Sequence, residues 1–302
     1  MAEPFDSRQF RLAVAALVAG AVGIGFAPIF VRVSEIGPSA TAFWRIALAL
    51  PLLFLWMQFE RGRTNRYRKP GRVRDHAALA LAGVFFAGDL ATWHWSITMT
   101  TVANATLFVN MAPVIVAAAS FLLFKERFHR LFLVGLALAL AGAVMLIGPG
   151  SGGEQIRLAG DALGFVAAGF YAAYIMAIGR LRASYSTATV MAWSALWSAA
   201  ALLPVAWISE EHLLPMSLDG WGILIGLALV SHVVGQSLIA YGLAHLPAAF
   251  GAVSLLVQPV VAGILAWTLF AEALGPLELA GAVMILSGIA LARRGVRVRR
   301  LV

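Results

Sequence analysis

Asp89 stands in the stretch "GDLATWHWS", where Trp93 and His94 follow it inside an otherwise uncharged apolar run. A carboxyl group in such a setting is costly to bury. It must carry a proton or pair with a cation, and His94 and Arg45 are the candidate partners. Further polar side chains lie deep in other apolar runs. His232 and Gln236 are four residues apart, so they share one helix face. Ser254 and Gln258 repeat that spacing directly before Pro259, and Asn110 stands shortly before Pro113. The prolines free backbone carbonyls, which is tolerated in a bilayer where they line a cavity or find new partners. Tyr174 joins Trp93, Trp95, Tyr171, Trp193 and Tyr241 as aromatic groups far from the ends of the runs. Aromatic walls with a few converging polar groups suit the reversible binding of a moderately apolar small molecule. Hydrogen bonding between helices explains each polar residue equally well, and core packing each aromatic one.

The elements that carry these residues follow from composition. The chain is 61% hydrophobic and 12% charged, with a mean hydropathy of +0.88. A soluble domain of this size needs about 25% charged residues to wet its surface. An all-α integral membrane protein is therefore expected. Ten segments reach spanning length, at 12–31, 40–59, 77–98, 104–124, 131–148, 160–179, 188–208, 220–243, 249–270 and 277–292. The first reads as a retained helix, since no small-residue cleavage site closes it convincingly.

With the N-terminus inside, every Lys and Arg except Arg32, Arg45 and Arg157 falls on the cytoplasmic side. This positive-inside bias predicts a multi-pass protein of the cell inner membrane with both termini cytoplasmic. The basic loop "RGRTNRYRKPGRVR" then reads as a topogenic segment beside anionic lipid, and a nucleic-acid partner is not expected. Arg45 lies close to the outer end of its span, where a snorkelling side chain is the plain alternative to an interior one.

Leu-Phe-x-Glu occurs at Glu126 and again at Glu272, an offset of 146. At the same offset Pro113 meets Pro259, Gly135 meets Gly281, and Gly142 meets Gly288. One register held over this stretch indicates a duplication. Five helices per copy is an odd number, so the copies enter the membrane from opposite sides. The expected architecture is ten transmembrane helices as two inverted five-helix repeats, 1–148 and 149–302. Such repeats are an arrangement of secondary transporters, with the substrate near the midplane between the halves. Glu126 and Glu272 read as structural carboxylates just before new helices. The paired glycines read as close-packing positions.

"FWRIALALPLLFL", "LFKERFHRLFLVGLALALAGAVML" and "LFAEALGPLELAGAVMILSGIAL" together resemble the drug/metabolite transporter superfamily, EamA type, over nearly the whole chain. Within it the chain is most similar to the aromatic amino acid exporter branch. The resemblance implies an inner-membrane carrier, often an exporter of amino acids or related metabolites. Helices three, four, eight and nine would surround its cavity with parts of one, two, six and seven, and helices five and ten would lie at the periphery. Arg45 in "FWRIAL" resembles a recurrent arginine of the family. The expectation is thus an alternating-access exporter of amino acids, aromatic and other neutral ones, or related small metabolites, driven by the substrate gradient. Its substrate-binding residues would be Asp89, Trp93, His94, Asn110, Tyr174, His232, Gln236, Ser254 and Gln258.

A passive channel is the alternative, which the lack of a ring of like charges along any span disfavours. No catalytic, cofactor or metal motif is present: there is no phosphate-binding glycine loop, no His-Glu-x-x-His, no Gly-x-Ser-x-Gly and no cysteine. An enzyme is not expected. A small-molecule substrate and membrane lipid are the partners implied, and a homo-oligomer is compatible with the sequence.

Overall fold

The computed structural model describes residues 7–63, 69–100, 102–145, 154–210, 212–270 and 275–295, and it is helical with no strand among them. Glu272, Arg66, Arg68 and the end of the arginine-rich tail lie outside the described residues. Among the described residues, nine helical segments are long and apolar enough to cross a membrane: α1 (Arg8–Arg32), α2 (Pro38–Glu60), α3 (Val73–Met99), α4 (Ala105–Leu123), α6 (Leu158–Leu181), α7 (Thr187–Ser209), α8 (Leu218–Leu243), α9 (Ala248–Leu269) and α10 (Pro276–Gly295). Between α4 and α6 lies the shorter apolar α5 (Arg130–Met145). At about 1.5 Å per residue its described part falls short of a hydrocarbon core roughly 30 Å thick. The sequence placed a span at 131–148, and positions 146–148 lie outside the described residues.

Helices are the form such a chain must take in lipid, because they satisfy every backbone group internally. Four of the spans are nevertheless broken, and a proline stands at or just past each break. In α1 the helix Ser7–Gly25 gives way at Phe26 to Ala27–Arg32, with Pro28 in the first turn of the second piece. In α2 it is interrupted between Ala47 and Leu50, ahead of Pro51. In α4 the break separates Val109 from Ala112, with Pro113 next, and in α9 it separates Ser254 from Val257, ahead of Pro259. A proline has no N–H to donate and its ring clashes with the preceding turn, so it favours the start of a helix; Pro204, inside the unbroken α7, is an exception. In α8 the irregularity takes another form, a π-helical stretch over Leu227–Gln236.

The packing partners form a pattern that survives exchanging each of the first five helices with the one five places later. α3 packs on α6 and α8 on α1; α4 packs on α6 and α9 on α1; α2 pairs with α7, α4 with α9, and α5 with α10. The last three pairs run antiparallel. In α5·α10, a Cβ added to Gly142 would meet Gly281 O at 2.5 Å, and one added to Gly135 would meet Gly288 O at 2.5 Å. The two helix backbones therefore touch along a glycine seam. In α2·α7 the Ser39 N–H donates to Glu210 Oε1 (2.9 Å) at one end, and Phe54 packs edge-on against Trp193 at the other. The core between these pairs is built from small and branched residues such as Ala42, Ile46, Ala82, Ala168 and Ala192. Such residues allow the close approach that drives association in lipid.

Candidate functional site

Three of the four helix breaks and the π-helical stretch converge on one cavity. It is lined by Gly25 and Pro28 at the break in α1, Asn110 at the break in α4, and Gln258 just past the break in α9. Gln236, the last residue of the π-helical stretch, also reaches it. α2 contributes Arg45, α3 contributes Phe86, Asp89 and Trp93, and α6 contributes Tyr171. The space within it is about 540 Å³ with the open solvent at its mouth included. Where irregular backbone occurs at membrane depth it lines a cavity or is buried in protein, and these breaks do the former.

Arg45 is 2% exposed, so it does not snorkel to the interface; its side chain points inward. The guanidinium carbon lies 5.9 Å from the centroid of the Phe86 ring. Behind Phe86 the rings continue as a stack, with Tyr174 at 4.5 Å and His232 at 5.4 Å between centroids. Tyr171 extends it from Tyr174 at 6.3 Å. Stacked rings have few free torsions, which fixes the wall against which Arg45 is held. Asp89 stands one helical turn after Phe86 on the same face and is 5% exposed.

No direct hydrogen bond or ion pair joins Asp89 to Arg45, although each lies within electrostatic reach of the other. Several buried polar atoms around the cavity have no protein partner, Arg45 Nε, Asp89 Oδ1 and Trp93 Nε1 among them, whereas the Tyr171 hydroxyl lies within reach of Gln258 and the Tyr174 hydroxyl within reach of Gln236. Buried polar groups are nearly always satisfied, and an orphan is expensive to keep. Unpaired donors and an unpaired acceptor around one space mark it as a place for a polar ligand.

The nine residues singled out in the sequence separate into two groups. Asp89, Trp93, Asn110, Gln236 and Gln258 line the cavity. His94, Tyr174, His232 and Ser254 are buried but do not line it. His94 Nδ1 is bonded to Pro38 O (3.0 Å), and the neighbouring Trp95 Nε1 donates to Ser39 Oγ (2.8 Å), so this face of α3 anchors the start of α2. Ser254 Oγ donates to Phe250 O of its own helix (2.9 Å). Tyr174 and His232 form the second layer of the aromatic stack. Glu126 also lies away from the cavity, in the turn where Lys125 (φ 53°) ends the helix Ala112–Phe124. The Glu126 N–H closes that turn on Ser120 O at 3.2 Å. Phe86 was not anticipated, because one more phenylalanine in an apolar helix carries no signal; its place three residues before Asp89 was the available clue.

The comparisons agree with this geometry. The chain is 27% identical over 252 residues to the pseudopaline exporter of Pseudomonas aeruginosa, covering 83% of this chain and 84% of that protein. It is 28% identical over 205 residues to a probable amino-acid metabolite efflux pump of Salmonella typhimurium, covering 65% and 69%. A crystal structure of another protein superposes with a TM-score of 0.75 at 19% identity, over 95% of this chain and 98% of that one, which establishes likeness of fold. The profile of the EamA-like transporter family matches twice in tandem, over residues 11–148 and 158–294. With nearly the whole chain matched, this multi-pass membrane protein belongs to the EamA-like transporter family.

Proposed function

We propose that the protein is an inner-membrane secondary transporter that exports amino acids, aromatic and other neutral ones, or related small metabolites by alternating access. The observation that carries this reading is the cavity at the helix breaks, with its aromatic wall and unpartnered polar atoms of both donor and acceptor type. A site of this composition suits a small solute with polar and apolar parts. Asp89, Trp93, Asn110, Gln236 and Gln258 contact the solute in this reading, while His94, Tyr174, His232 and Ser254 hold the helices that present them. The two similar proteins named as an exporter and an efflux pump support the direction of transport.

The reading includes ten transmembrane helices as two inverted repeats, 1–148 and 149–302, with both termini cytoplasmic. The exchange-invariant helix pairing, the antiparallel glycine seam and the tandem family match support the repeats. The positive-inside bias supports the orientation. In this arrangement the cavity lies where inverted repeats meet, and small rotations of one half against the other would expose it alternately to each face.

The test is uptake into proteoliposomes of a panel of amino acids, with and without an imposed pH difference. Saturable uptake of aromatic or other neutral amino acids is expected, without accumulation under the pH difference. No uptake of any panel member would overturn the substrate class. Accumulation that stops in Asp89→Asn would replace the gradient-driven exporter with a proton-coupled one.

A further inference from the structure

The charges of the cavity are not distributed as the duplication would have them. The helices that repeat α2 and α3 are α7 and α8; α7 holds no Asp, Glu, Lys or Arg and α8 only Asp219 in its first turn, so neither charge has a counterpart at that depth in the second half. The second half contributes neutral polar groups instead, Tyr171, Gln236 and Gln258. One guanidinium and one carboxylate thus enter a single cavity from two neighbouring helices, unbonded to each other and both at least nine-tenths buried. An ion pair built only for structure would close on itself, because two desolvated charges left apart lose most of their mutual attraction.

We infer that the substrate is a zwitterion held by its two poles: its carboxylate on the Arg45 guanidinium, its ammonium group on Asp89, and its apolar side chain against the aromatic wall. The inference rests on the transporter reading and adds which substrate group each residue takes. Arg45 Nε is a free donor in a fork suited to a carboxylate. Phe86, beneath the guanidinium, sets its orientation and is a positioning residue. Asp89 Oδ1 is a free acceptor, and an ammonium group brings it both charge and hydrogen-bond donors. Tyr171 and Trp93 also line the cavity, and Trp93 Nε1 is a further unpaired donor. A ligand carrying one charge would satisfy one pole and strand the other in low dielectric, so both charged groups are required together.

The experiment is competition in proteoliposomes against labelled L-phenylalanine by unlabelled L-phenylalanine, 3-phenylpropionate, which lacks the ammonium group, and phenylethylamine, which lacks the carboxylate. In the wild type each truncated analogue should compete about ten- to a hundredfold more weakly than phenylalanine, the worth of one hydrogen-bonded charge. In Asp89→Asn the gap between phenylalanine and phenylpropionate should shrink while the phenylethylamine gap persists. In Arg45→Gln the reverse should hold. Phe86→Leu should weaken carboxylate discrimination more than ammonium discrimination. The wild-type series alone decides the matter if a variant fails to fold: equal competition by either analogue overturns the assignment of that pole. Collapse of both gaps in a single variant overturns the division of roles. Absence of phenylalanine transport, with labelled transport of another neutral amino acid, moves the same analogue series to that amino acid. Transport of no amino acid at all overturns the transporter reading itself, and this assignment with it.

Discussion

Gly288 offers the sharpest structural perturbation. A Cβ placed there would lie 2.5 Å from Ala139 N and 2.6 Å from Gly135 O, and both neighbours are backbone atoms that cannot turn aside. Ordinary contact begins near 3.4 Å. In Gly288→Ala, α5 and α10 must therefore separate by about 1 Å, which strips contact from Gly135, Gly142 and Gly281 along the seam. The expected cost is about 1–3 kcal/mol, as for overpacking in a dense interior, and more in Gly288→Val. Gly135→Ala should cost a similar amount. The double variant should cost less than the sum, because the first methyl group already opens the space for the second. Gly169→Ala is the control: nothing lies within 4 Å of its Cβ position, and a change within about 0.5 kcal/mol is expected. Thermal unfolding in detergent measures all five. The seam lies away from the cavity, so transport per folded molecule should persist in the surviving protein. Gly288→Ala melting together with wild type and with Gly169→Ala would refute the close approach of the two helices.

Other expectations are more local. Gln258→Ala, which removes a group lining the cavity, should lower transport with little change in melting, whereas His232→Ala should lower melting as well by removing a ring from the stack; indistinguishable variants would dissolve the two-layer wall. Between the end of α1 and the start of α8, the Glu35 carboxylate accepts hydrogen bonds from Ser217 Oγ, Ser217 N and Met216 N, which holds it below its ordinary value of 4.5. Stability from this clasp is then present above the ordinary carboxylate range and is lost as pH falls through the lowered value. Melting followed against pH should show that loss in wild type but not in Glu35→Gln, and superimposable profiles would remove Glu35 from the account. Reporter fusions at residue 302 and within 149–159 should report opposite sides of the membrane; agreement between them would overturn the inverted halves.

Much of this arrangement was legible in the residues. The prolines at 113 and 259 marked breaks that the structure places beside Asn110 and Gln258, because a missing N–H acts locally whatever the tertiary context. Gly135, Gly142, Gly281 and Gly288 were readable as a packing face, although the sequence could not say that the two pairs face each other. Arg45 was ambiguous because its distance from the helix end permits both an inward and an outward side chain, and only the packing of α2 against α7 and α3 decides it. His232 and Gln236 were expected to act together from their spacing. The π-helical stretch and the stack on Phe86 separate them, so Gln236 reaches the cavity and His232 backs the wall. Such irregular turns depend on contacts from other helices and leave no local signature.

The central claim is that solute crosses through this cavity in a carrier cycle, and counterflow tests it most directly. Proteoliposomes preloaded with unlabelled phenylalanine are diluted into trace label, and internal label is followed with time. The account predicts a transient overshoot of label above its equilibrium level in wild type. It predicts no overshoot in Ala262→Trp, which fills the cavity from α9 with a folded protein around it. Label that only relaxes to equilibrium in wild type, or an overshoot that survives the filled cavity, would contradict it.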